Sequence, residues 1–199
     1  MGDSVPFHLI GTVPDMSNYD TYKYIFHDTL CAGLTAPAVK DIKVYLSSDK
    51  IKDSTDTDIT DKFTISVSEQ TITITCRNLK EIDEIEAGKH IIVEYSATLN
   101  QNAAVGLPGN DNTVKLEYSN NPDQSGSGEN TPTGETPEDK VIVFTYKLDV
   151  TKVDGANKET KLKDAEFKLY KKSGETKQYA KVDENQKVTS WVDEENASV

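Results

Sequence analysis

Cysteine is scarce in this chain, with two in 199 residues, Cys31 and Cys76. That excludes a disulfide-dense scaffold and the multi-cysteine zinc motifs. The pair itself stays open between two buried free thiols acting as small core residues and one disulfide. Histidine is as sparse: His8, His27 and His90 have no ligand spacing. There is no nucleophile motif, no His/Cys cluster and no glycine-rich phosphate loop, so turnover of an external substrate is not expected and no cofactor is implied. No run of about 18 apolar residues is present, which excludes a membrane-spanning helix. The start, MGDSVPFHLI, lacks the basic and apolar regions of a signal peptide and reads as a fragment boundary. Basic charge is short as well. The 22 Lys and Arg stand against 34 Asp and Glu, net −12, which argues against nucleic acid or an anionic membrane as partner, since both need a positive surface.

What is present is a succession of Thr-, Val- and Tyr-rich stretches cut at short intervals by Gly, Pro, Asn and Asp. The alternation predicts strands over 5–10, 22–28, 42–46, 63–67, 71–76, 90–99, 114–120 and 140–146. Eight short strands with polar turns describe an all-β, immunoglobulin-like β-sandwich. One short helix is expected in NLKEIDEIEAG, where Leu79, Ile82 and Ile85 have helical spacing and Gly88 is placed to stop it. The stretch from Asn120 to Asp139, rich in Ser, Gly, Thr and Pro, reads as a mobile loop.

A first module is therefore expected over residues 1–146 and a second over 147–199, joined without a flexible linker through VIVFTYKLDVTKVD. The second offers a strand at its start, a turn in DGANKETKLKD, a strand around Ala165, Phe167 and Leu169, and a strand–turn run ending near Trp191. It is short for an independent β-domain and reads as truncated.

Three polar residues fall in phase with apolar neighbours, because side chains alternate between faces in an extended chain. Asp28 aligns with Tyr24, Phe26 and Leu30; Asn120 aligns with Val114, Leu116 and Tyr118; Lys152 aligns with Leu148 and Val150. An inward Lys, Asn and Asp are the parts of an uncatalysed amide bond. Burial makes the amine easier to deprotonate and keeps an acid protonated beside the carboxamide, and attack expels ammonia. Proximity then stands in for an enzyme. The plainer readings are an Asp and an Asn bonded to turn backbone, and a Lys that snorkels or pairs with Asp154 or Glu166.

At these residues the chain resembles the backbone subunits of sortase-assembled pili and related wall-anchored adhesins of Gram-positive bacteria. GDSVPFHLIGTVP, YIFHDTLCAGLT, GLPGNDNTVKLEYSNNP and TPEDKVIVFTYKLDVTKVD are similar, in order, to signatures of the isopeptide-forming, CnaA-like middle domain of such pilins. LDVTKVDGANKETKLKDAEFKLYKKSG resembles the opening of a CnaB-type domain. The resemblance implies a secreted, cell wall-anchored fibre subunit, joined by sortase to neighbouring subunits and stabilised by Lys–Asn isopeptide bonds. It implies Asn120 as acceptor and Asp28 as assisting acid in the first module, with Glu94 as the reserve acid, and Lys152 as donor in the second. The donor for Asn120 would lie before Gly2 and the acceptor for Lys152 beyond Val199, so neither bond is expected within these residues.

Two other readings remain at this level. Asp53, Asp56, Asp58 and Asp61 crowd one loop as a weak calcium candidate, although the glycine and terminal glutamate of an EF-hand are missing. A stalk or binding region of an adhesin for glycan or host matrix is the alternative to a passive shaft, with Trp191 and the tyrosines as stacking surfaces.

Overall fold

The computed structural model describes residues 2–124 and 131–198. Their strands are β1 (Ser4–Thr12), β2 (Tyr24–Leu30), β3 (Leu34–Thr35), β4 (Lys43–Ser47), β5 (Thr57–Asp58), β6 (Thr64–Ser68) and β7 (Thr71–Cys76). They continue with β8 (His90–Leu99), β9 (Asn110–Ser119), β10 (Thr133–Glu135), β11 (Asp139–Val143), β12 (Tyr170–Ser173), β13 (Thr176–Val182) and β14 (Val188–Val192). One sheet runs β1-β8-β4-β5 with β3 also on β8, and a second runs β10-β9-β2-β7-β6 with β11 also on β9. A third, β12-β13-β14, is a small meander.

The two large sheets exist because their strands alternate. In β7, Ile72, Ile74 and Cys76 are buried while the intervening threonines face outward. Phe7, Leu9, Val44, Leu46, Val93, Tyr95 and Leu99 from the first sheet meet Tyr24, Phe26, Leu30, Ile72 and Ile74 from the second in one core. Each such large side chain contributes about 1.5–3 kcal/mol on leaving water. Gly11 lets the layers close: a Cβ there would stand 2.1 Å from the Tyr24 hydroxyl. That hydroxyl instead donates to the Thr12 carbonyl at 3.2 Å, tying β2 to β1.

Four expectations need correction. The 78–88 stretch forms no α-helix, only a 3-10 turn at Leu79–Glu81. Its polar groups are claimed from outside: Tyr22 N–H donates to Asn78 Oδ1 at 3.0 Å, Leu79 N–H to the Tyr22 carbonyl at 2.7 Å, and Gly88 N–H to the Val13 carbonyl at 2.9 Å. These bonds pull the chain along the sandwich and leave no i→i−4 ladder. Within the expected loop, Thr133–Glu135 pairs with β9 as β10; residues 125–130 lie outside the described residues. Residues 147–152 form no strand among the described residues. An isolated bridge from Val153 to Lys161 follows, Leu148 and Val150 are 65% and 56% exposed, and the strand expected around Ala165, Phe167 and Leu169 begins only at Tyr170, as β12.

Candidate functional site

β2 places Asp28 where alternation puts it, between Phe26 and Leu30, and the residue is fully buried. β9 runs beside β2 with Leu30 opposite Asn112 and Asp28 opposite Val114. Asn112 therefore lies on the same inner face, one step from the acid, and is 3% exposed. From the facing sheet β8 contributes Tyr95, buried and stacked on Phe7 with ring centroids 5.4 Å apart.

The Tyr95 hydroxyl joins the other two. It donates to Asp28 Oδ2 at 2.5 Å and accepts from Asn112 Nδ2 at 2.8 Å. Burial pushes the Asp28 carboxyl up to about 6, and hydrogen bonds from Tyr95 and Asn112 offset only part of that cost. Burial foremost, then the neighbouring Asp28, raises the Tyr95 phenol far above its ordinary range, so it stays protonated and can donate. Two acceptors are left over: Asp28 Oδ1 and Asn112 Oδ1 are buried without a hydrogen-bond partner. Such groups are costly to leave unpaired, about 1–3 kcal/mol each. An acid held partly protonated, a carboxamide and two unsatisfied oxygens make a pocket chemistry suited to an N–H donor.

Asn110 sits two residues earlier on the same face and is spent structurally. Its Oδ1 accepts from Ala104 N–H at 2.8 Å, and its Nδ2 donates to the Ala104 and Val143 carbonyls, each at 3.1 Å. Gly33 packs against it, where a Cβ would fall 2.2 Å from Asn110 Oδ1. Alternation run back from Val114 reaches Asn112 and Asn110, so both were within reach of the pattern that selected Asn120. Tyr95 carries the same signal, in phase with Val93 and Ala97.

The other sequence candidates are placed differently. Asn120 is exposed, not inward. β9 ends at Ser119, which turns in: its buried Oγ accepts from Lys23 N–H at 2.9 Å, and this reverses the phase for the next residue. Lys152 is exposed, because no second layer covers the apolar side of its segment among the described residues. Its backbone carbonyl accepts from Leu162 N–H at 2.9 Å. Glu94 lies on the outer face of β8, 3.5 Å from His8 and opposite Lys43, so Asp28 is the inward acid of the two. Glu166 is exposed.

The acidic loop does not converge on a cation. Asp53 Oδ1 accepts from the Thr55 N–H and hydroxyl, Asp56 Oδ2 from Asp53 N–H, and Asp58 Oδ1 from Thr60 N–H. Among the described residues no group of three or more His, Cys, Asp or Glu could hold a metal. Cys31 and Cys76 are both free, and burial pushes the Cys76 thiol up to about 11.

The described residues thus form a two-layer antiparallel β-sandwich with a buried carboxyl and a buried carboxamide on adjacent strands. The chain belongs to the Gram-positive pilin backbone family: the family described as "Gram-positive pilin backbone subunit 2, Cna-B-like domain" matches residues 1–122. The family and fold are structural and not enzymatic. The motifs resemble a CnaA-like first module, whereas the family description says Cna-B-like. The trypsin-resistant surface T6 protein of Streptococcus pyogenes serotype M6 is 38% identical over 85 residues, covering 39% of this chain and 16% of that protein. Thus the chain spans only a small part of this relative's length. The group B streptococcus pilus 2b backbone protein has a similar fold, with a TM-score of 0.59 at 19% identity over 99% of this chain and 70% of that one. BcpA, the major pilin subunit of Bacillus cereus, gives 0.53 at 20% identity over 98% of this chain and 48% of that one.

Proposed function

We propose that this chain is part of a pilus backbone subunit displayed outside the cell and joined by sortase to its neighbours. Its first sandwich is locked by a lysine–asparagine amide, in which Asn112 takes the place that sequence motifs gave to Asn120. Asp28 is the assisting acid. The observation that carries this reading is the pair of unpartnered buried oxygens, Asp28 Oδ1 and Asn112 Oδ1, on either side of the Tyr95 hydroxyl. An incoming neutral lysine amine can donate to these oxygens before reaction, and the N–H of the product amide can still donate to Asp28 Oδ1.

The direction of approach fits as well. Leu99 N–H donates to the Asp3 carbonyl, so β1 enters beside Leu99. Asn100 N–H donates to the Gly33 carbonyl, and Gly33 lies on Asn110, two residues from Asn112. A lysine on the strand before Gly2, where the family resemblance puts the donor, enters at this end of the sandwich. The amide then ties the sheet holding β1 to the sheet holding β9. By analogy with a disulfide, it narrows the unfolded ensemble by about 3–5 kcal/mol.

Intact-mass measurement of the full-length protein tests the reading. The expected result is a loss of about 17 Da, one ammonia per bond, with tandem mass spectrometry mapping one branch to Asn112. An unmodified mass, or a branch on Asn120, overturns it.

A further inference from the structure

We infer that Tyr95 is a proton relay for amide formation, carrying a proton from Asp28 to the nitrogen that leaves Asn112. This rests on the reading of Asn112 as acceptor and adds a third participant that neither strand of the acid–amide pair supplies. The geometry is specific. The Tyr95 hydroxyl touches the carboxyl through one atom, Asp28 Oδ2 at 2.5 Å, and touches Asn112 through Nδ2 at 2.8 Å, the atom that must depart as ammonia. The second carboxyl oxygen, Asp28 Oδ1, and the carboxamide oxygen, Asn112 Oδ1, are unpartnered. The carboxyl is thus divided: Oδ1 is open to a newcomer and Oδ2 is committed to the tyrosine.

The step balances with one co-reactant, a neutral primary amine of a lysine. Its nitrogen bonds to the Asn112 side-chain carbonyl carbon, and the π pair moves onto Asn112 Oδ1. The carbon becomes tetrahedral and Nδ2 gains a lone pair, so the Tyr95 hydroxyl turns its proton from Asp28 Oδ2 to Nδ2 and accepts instead from the proton that the neutral carboxyl carries on Oδ2. The ammonium nitrogen formed by attack gives a proton to Asp28 Oδ1. In the same movement Asp28 Oδ2 passes its proton to the Tyr95 oxygen, and Tyr95 passes its own to Nδ2. The oxygen pair on Asn112 re-forms the carbonyl, the carbon–Nδ2 bond breaks, and ammonia leaves. Asp28 and Tyr95 end as they began, with the Asp28 proton moved from one oxygen to the other. The relay requires an acid that holds a proton and a phenol that does not ionise, and the burial of both groups supports each condition.

Tyr95→Phe is the direct test, since the ring keeps its stacking on Phe7 and loses only the hydroxyl. Full-length protein made by cell-free translation is followed by intact mass from release onward, in H2O and in D2O, with thermal melts confirming that the variant folds. Removal of a positioned acid–base group costs about 10²-fold or more in rate. The expected result is slowing of that order, together with loss of most of the solvent isotope effect that wild type displays. Wild-type kinetics in Tyr95→Phe overturn the relay, and so does slowing with the isotope effect intact, which assigns Tyr95 to positioning alone. Failure of the underlying reading is separately visible. If no wild-type branch maps to Asn112, or Asn112→Ala loses as much ammonia as wild type, the acceptor assignment falls before Tyr95 is considered.

Discussion

β2 and the segment 147–152 carry the same alternating pattern of apolar residues interrupted by one ionisable group, yet they meet opposite fates. Tyr24, Phe26, Asp28 and Leu30 are all buried, whereas Leu148 and Val150 are more than half exposed and Lys152 faces water. The difference lies in what stands opposite. β2 is an interior strand, flanked by β7 and β9 and roofed by the other sheet, so its inward face has no access to solvent. The later segment has neither a flanking strand nor a facing layer among the described residues. Alternation assigns a side chain to a face; only a second layer turns that face into an interior, and only there does an ionisable group acquire unusual chemistry.

Substitutions can break this contrast, starting with the largest effect. Ile74→Ala, in the strand beside β2, should cost about 2–5 kcal/mol in urea denaturation, the range for truncating a fully buried isoleucine. A cost below about 1 kcal/mol would mean that the interior is looser than its burial implies. Asp28→Asn comes next and is read against pH. The folded-state carboxyl sits at about 6, above its ordinary value of 3.8. The stability it contributes is therefore full below about pH 3.8 and lost as pH rises through 6. Wild type should lose on the order of 3 kcal/mol relative to Asp28→Asn between pH 3.5 and 7.5; parallel pH profiles would remove the acid from the interior. Smallest is Val150→Ala, expected within about 0.5 kcal/mol of wild type. A cost comparable to Ile74→Ala would show that residues 147–152 are covered in solution.

The elements that follow from local pattern were legible. The limits 71–76 and 90–99 agree with β7 and β8 residue for residue, and the inward placement of Asp28 followed from counting by twos. Three things were not. The inward facing expected of Asn120 failed because strand phase persists only while the ladder does, and the ladder ends at Ser119, whose hydroxyl is drawn in by Lys23 N–H. The 78–88 stretch has helical spacing, but Asn78 and Gly88 are hydrogen-bonded to Tyr22 and Val13, far away in the chain, and no local window contains those partners. Tyr95 and Asp28 are 67 residues apart and belong to different sheets. Their hydrogen bond depends on which strands face each other, which alternation leaves open.

The attachment of β11 has a consequence for load. The chain enters the sandwich on β1, held to β8 by a nine-residue register, and leaves it on β11, held to β9 by five pairs from Asp139 to Val143. A tension applied to the two ends passes through both ladders in series. An amide from the entry strand to Asn112 would bypass the longer ladder and deliver the force straight into β9. The five-pair ladder, reinforced by the Lys140–Asp111 ion pair at 2.9 Å, the Asn110 bond to the Val143 carbonyl and the Thr145 contacts with Ala104 and Gly106, would then be the non-covalent link that carries the load. Rupture would begin there, and β11 would peel or shear away while the rest of the sandwich stayed intact.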